Sequence, residues 1–102
     1  MDDEKKEILM DTPAGNKILI SEDQKGITLE DQHGNKIVMN DSGIEITSTK
    51  DFTVKATGNI SITGDKDVTL SAATQFKSSG NAGAELSSTA NVTVKGSMVQ
   101  IN

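Results

Sequence analysis

From Ile44 to Val99 the chain divides into seven consecutive eight-residue units with no insertion: IEITSTKD, FTVKATGN, ISITGDKD, VTLSAATQ, FKSSGNAG, AELSSTAN and VTVKGSMV. Positions one and three are Ile44/Ile46, Phe52/Val54, Ile60/Ile62, Val68/Leu70, Phe76/Ser78, Ala84/Leu86 and Val92/Val94, so 13 of 14 are apolar and only Ser78 breaks the stripe. Position five is always small: Ser48, Ala56, Gly64, Ala72, Gly80, Ser88 and Gly96. Two apolar residues flanking a polar one give the alternation of a short half-buried strand, and the Asn/Asp/Gly-rich remainder suits a turn. Each unit therefore reads as one strand and one corner of a stacked, all-β architecture. Fully extended, eight residues reach only about 26 Å, too short to close a coil. Either three units of one chain make a turn, or one unit from each of three chains does.

Composition bears on that choice. Only 33% of the 102 residues are hydrophobic, with two Phe and no Trp or Tyr, so a single copy has little with which to build a core. This favours an arrangement in which other chains cover what one chain leaves exposed. The absence of cysteine excludes a disulfide framework and any Cys-based metal or redox site. A net charge of −5, without a basic patch interleaved with aromatics, argues against nucleic acid as a partner. The longest apolar runs are triplets such as Ile8-Leu9-Met10 and Ile18-Leu19-Ile20, so neither a signal peptide nor a membrane-spanning helix is expected. The corresponding expectation is assembly in the cytoplasm, followed by release or injection by a route that needs no cleaved leader.

Before the octads the text is looser. Residues 1–15 begin with the charge run MDDEKKE and are expected as a flexible tail or linker that ends in the turn cluster Thr12-Pro13-Ala14-Gly15. In residues 16–43 short strands joined by Gly-bearing turns are expected. Gly15-Asn16-Lys17-Ile18 recurs nineteen residues later as Gly34-Asn35-Lys36-Ile37, and apolar pairs fall at Ile18/Ile20, Ile27/Leu29 and Ile37/Met39. Residues 44–102 then form the octad region.

Rephased as apolar-x-small, as in Ile62-Thr63-Gly64 and Val94-Lys95-Gly96, the units resemble the Val-x-Gly octapeptide repeat of the needle on contractile-phage cell-puncturing spikes. The Gly-Asn-Lys-Ile text and the closing VTVKGSMVQIN resemble the C-terminal region of VgrG, the spike protein of type VI secretion and related contractile injection systems. The resemblance covers roughly residues 15–102. It implies an intertwined triple-stranded β-helix, a trimeric β-prism with Gly64, Gly80 and Gly96 at corners. It further implies a homotrimer with hub, baseplate and tube at the N-terminal end, a PAAR-type tip protein at the C-terminal end and transient contact with a target membrane. The hub, the oligonucleotide-fold-like neck and any lysozyme-like domain of such proteins are not in this sequence. The His-x-His that holds iron at some phage tips is also missing, because the closing stretch has no histidine.

The core stripe is then Ile44, Ile46, Phe52, Val54, Ile60, Ile62, Val68, Leu70, Phe76, Leu86, Val92 and Val94. Three Ser78 hydroxyls near an axis are either a polar layer that holds water or an ion, or a thin spot tolerated beside Phe76. Met98, Val99 and Ile101 are either a platform for a cap or the closure of the last layer. No cofactor is otherwise expected. His33 is the only histidine and sits in a turn, and no two carboxylates share the buried setting that an acid–base pair needs, so no enzyme is expected. Two alternatives stand beside the secretion spike: a phage baseplate or tail-spike segment, and a single-chain β-solenoid with an adhesive or ligand-binding surface of Thr and Ser at positions two and four.

Overall fold

The computed structural model describes Glu4 and residues 6–102. The chain divides into two units, Met1–Ile60 and Ser61–Asn102. The first contains five strands: β1 (Glu7–Asp11), β2 (Lys17–Ser21), β3 (Gly26–Glu30), β4 (Lys36–Asn40) and β5 (Gly43–Thr47). They form one open antiparallel meander, each strand beside its neighbour in sequence. Short turns suffice because antiparallel partners need no crossover.

Register converts the alternation into two faces. Across the five strands, Ile8, Ile20, Ile27, Met39 and Ile44 stand in one column, and Met10, Ile18, Leu29, Ile37 and Ile46 in the next. Residues two apart on a strand share a face, so both columns lie on one side of the sheet. The opposite side carries Leu9, Leu19, Thr28, Val38 and Glu45, then Asp11, Lys17, Glu30, Lys36 and Thr47. That last row alternates in sign over four strands, and Lys17 pairs with Glu30 at 3.4 Å. Opposite charges directly across a ladder favour this register and no shifted one.

Nothing covers the apolar side. No apolar residue among those described is buried; the one buried side chain is Ser21, 3% exposed, whose hydroxyl donates to Glu7 Oε2 at 2.7 Å and accepts from the Gln24 N–H at 3.0 Å.

One sequence expectation needs correction, and another is met only in part by the single chain. The tail assigned to residues 1–15 contains a strand: β1 pairs with β2 along its whole length, because Ile8 and Met10 fall opposite Ile20 and Ile18 and extend the same apolar columns. Residues 1–3 and 5 of that tail lie outside the described residues. In the octads, only the first unit supplies a strand, β5; residues 48–102 hold none, and no three-chain helix is present in the single chain. Extended segments become strands only when another edge offers its N–H and C=O groups, and one copy has no such edge to offer here.

Candidate functional site

The candidate site is the surface through which copies of the chain meet, beginning where the sheet gives way to the octads. One end of the sheet is built from turns that grip one another. In the first, the Thr12 N–H donates to the Asn16 carbonyl at 2.9 Å, and the Asn16 side-chain amide donates to Thr12 Oγ1 at 3.1 Å. In the second, the Asp31 N–H donates to the Asn35 carbonyl at 3.0 Å, and the Asn35 amide donates to Asp31 Oδ2 at 2.9 Å. Gly15 and Gly34 precede these asparagines with φ of +105° and +88°, a region that glycine enters without a Cβ penalty. Each asparagine also reaches the next turn along. Asn16 Oδ1 accepts from the Gln32 N–H at 2.9 Å, and Asn35 Oδ1 accepts from the Thr49 N–H at 2.8 Å and from its hydroxyl at 3.2 Å.

The Gly-Asn-Lys-Ile repeat is thus a two-rung clamp whose second rung holds Thr49, in the first octad corner. Sequence reasoning noted the repeat but assigned Asn16 and Asn35 no task. The only available signal was their common spacing from Thr12 and Asp31, four residues upstream. Asp31 is also held by the His33 and Asn35 N–H groups. The Asn35 amide first, and then these backbone donors, hold the Asp31 carboxyl below its ordinary value.

Beyond β5 the backbone bends at 49–50, 57–58, 65–66, 73–74, 81–82, 89–90 and 97–98, every eight residues. The corner therefore lies at unit positions six and seven, just after the small residue at position five. The bend brings the carbonyl of position eight back toward position five. Ser48 Oγ donates to the Asp51 carbonyl at 2.7 Å, while a Cβ on Gly64 or Gly80 would lie 2.6 Å from the Asp67 oxygen or 2.2 Å from the Gly83 oxygen. Gly96 is less confined, with 3.1 Å to the Met98 oxygen. Ala56 and Ala72 occupy the same unit position, so the tightness is a property of individual bends.

The twelve large residues of the proposed core stripe are all exposed in one chain, from 49% at Val92 to 75% at Leu86. Ser78 is exposed as well, and Met98, Val99 and Ile101 stand out at 83%, 50% and 89%. His33 is an exposed turn residue. Among the described residues no cluster of three His, Cys, Asp or Glu side chains is placed to hold a metal, and no helix is long and apolar enough to cross a membrane.

A chain with one entirely apolar sheet face, an exposed apolar stripe and periodic corners is built for assembly. The family model described as the phage baseplate V C-terminal trimerisation domain matches residues 7–102, and the chain belongs to that family. Membership places the chain among structural baseplate and spike segments and supports a homotrimer. A comparison with curated proteins finds no match.

Proposed function

We propose that the chain is the shaft of a membrane-puncturing spike in a contractile injection machine. In this reading three copies intertwine through their octads into a triangular prism that carries a PAAR-type tip or effector. The observation that supports it is the coincidence of two periods: apolar pairs at positions one and three, and backbone bends at positions six and seven, both repeating every eight residues over the same stretch. Each unit then lays one strand beside a strand of another copy, about 4.8 Å along the axis, so seven units build a shaft of roughly 34 Å. Displacing one strand would break hydrogen bonds to two other chains, which suits axial thrust. The role is mechanical, with no catalytic step. Hub, baseplate and tube lie toward the N-terminal end in this reading. Assembly precedes injection from the cytoplasm, and an ion or water beside Ser78 is compatible with the axis.

Mass in solution tests the assembly. Light scattering is expected to return three copies of 10.8 kDa, about 32 kDa in all, and a stable folded single copy would end the reading in favour of a solenoid. The tip platform has its own test. Ending the chain after Gly96 should leave the 32 kDa particle intact and abolish capture of a PAAR-type tip protein; retained capture would remove Met98, Val99 and Ile101 from that role.

A further inference from the structure

We propose that Lys77 of each copy pairs with Glu85 of a neighbouring copy, and that this contact, with the spacing of the corner charges, fixes which octad stands beside which. The inference rests on the trimer reading and answers what that reading leaves open, the register of the shaft.

The apolar stripe cannot settle register. Of its 14 positions 13 are apolar, and every fifth position is small, so a copy displaced by eight residues meets nearly the same pattern. A one-residue slip turns the stripe outward, but a slip of one whole unit restores it. Something that differs from unit to unit has to choose.

Charge does differ. In a triangular prism each corner carries a chain to the next face, so strands stacked on one face come from different copies and from consecutive units, about 4.8 Å apart. Like positions then stand side by side. Among the ten charged residues of the octads, only Lys77 and Glu85 occupy the same position of consecutive units, position two of units five and six, and they are opposite in sign. The backbone bends at 73–74, 81–82 and 89–90 keep both units in one phase. Lys77 lies between Phe76 and Ser78, and Glu85 between Ala84 and Leu86, so both side chains alternate away from the stripe. Both are exposed in one chain, where the ion pairs among the described residues are Lys6–Glu22 and Lys17–Glu30. Their further neighbours at position two are Thr69 and Thr93, so no second charge competes there.

The corner charges avoid one another in the same register. Lys50 and Lys66 share position seven and Asp51 and Asp67 share position eight, yet each pair is two units apart, separated by Gly58 and Asn59. A copy displaced by one unit would place equal units, or units two apart, side by side. It would stack Lys50 on Lys66 and Asp51 on Asp67, and part Lys77 from Glu85. Like charges side by side disfavour a pairing and opposite charges favour it. The Lys77–Glu85 contact also falls where the stripe is thinnest, at Ser78 and Ala84.

The chain has no cysteine, so Lys77→Cys combined with Glu85→Cys introduces the only thiols. Strands about 4.8 Å apart suit a disulfide. Under mild oxidation this variant should run on a denaturing, non-reducing gel as three joined copies of 10.8 kDa, because each copy gives one thiol to each neighbour. Either single substitution should run as one copy. Charge is tested separately: Lys77→Glu and Glu85→Lys should each lower the unfolding midpoint of the particle, the double exchange should restore it, and molar salt should shrink both single losses. A three-copy particle whose double-cysteine variant stays at one copy on the gel overturns the pairing and leaves the trimer standing. Joined copies without restoration by the double exchange deny the charges their role and overturn it too. A one-copy particle from the unsubstituted chain ends the trimer reading itself. The cysteine and charge variants are independent, so failure of one to fold leaves the other decisive.

Discussion

The sheet of β1 to β5 and the stretch 48–102 belong to one chain and solve the same problem in opposite ways. In the sheet, every strand finds its backbone partner a few residues away, across a turn, and the polar side chains of those turns bond one another. Within residues 48–102 the corners are held by bonds between side chain and backbone, as Lys50 N–H to Ser48 Oγ and Ala90 N–H to Ser88 Oγ. Backbone donors and acceptors left over must go to water or to another chain. Inside the sheet the strands pair with one another, leaving the outer edges of β1 and β5 and the apolar face open; residues 48–102 have neither strand pairing nor apolar cover. In the proposed trimer, assembly would contribute packing to one region and secondary structure itself to the other.

The strongest way to break that contrast is to place a charge on the octad stripe. Ile62→Asp would bring three carboxylates together in an apolar setting, at a cost of several kcal/mol per ion. Light scattering should show loss of the 32 kDa particle, whereas Ser61→Asp, one residue away at position two, should leave it. Equal effects would deny the stripe an inward direction.

A corner substitution should do less. Gly80→Ala sets a Cβ 2.2 Å from the Gly83 oxygen, whereas Gly58→Ala meets nothing within 4 Å. The first is expected to destabilise by about 1–3 kcal/mol per copy in thermal or denaturant unfolding, and the second by far less.

Removing the clamp tests the junction between the two regions. Asn35→Ala deletes the bonds to Asp31 and Thr49 and should cost about 1–3 kcal/mol in denaturant unfolding. If the clamp sets the first corner, this variant should also loosen amide exchange protection in residues 48–60 more than Asn16→Ala does.

The smallest expected effect is acid dependence. Asp31 is held below its ordinary value in the folded chain, so its contribution is fully present above the unfolded aspartate value and is lost as pH falls through the lower folded one. Asn35→Ala removes the largest cause and should shrink that acid limb in a pH series of unfolding midpoints.

Much of this was legible in the text of the chain. The octads, their small fifth residues and the pairs Ile18/Ile20, Ile27/Leu29 and Ile37/Met39 needed only local pattern, because alternation and turn chemistry act over a few residues. β1 was missed, since a charge run beside Ile8-Leu9-Met10 reads as a tail until Ile20 and Ile18 stand opposite it. The asparagine clamp was missed for a related reason: a bond from Asn35 to Thr49 spans fourteen residues and depends on how two turns stack.

By itself, the sequence determined the period, the polarity pattern and the need for partners, because each follows from which side chains avoid water and how often they recur. Only the tertiary structure decided that ten of the apolar sheet residues share one face while Leu9, Leu19 and Val38 take the other, and that the corner falls at positions six and seven. Those depend on strand register and on where the backbone bends, which are set by hydrogen bonds across the turns and corners and not by side-chain alternation alone.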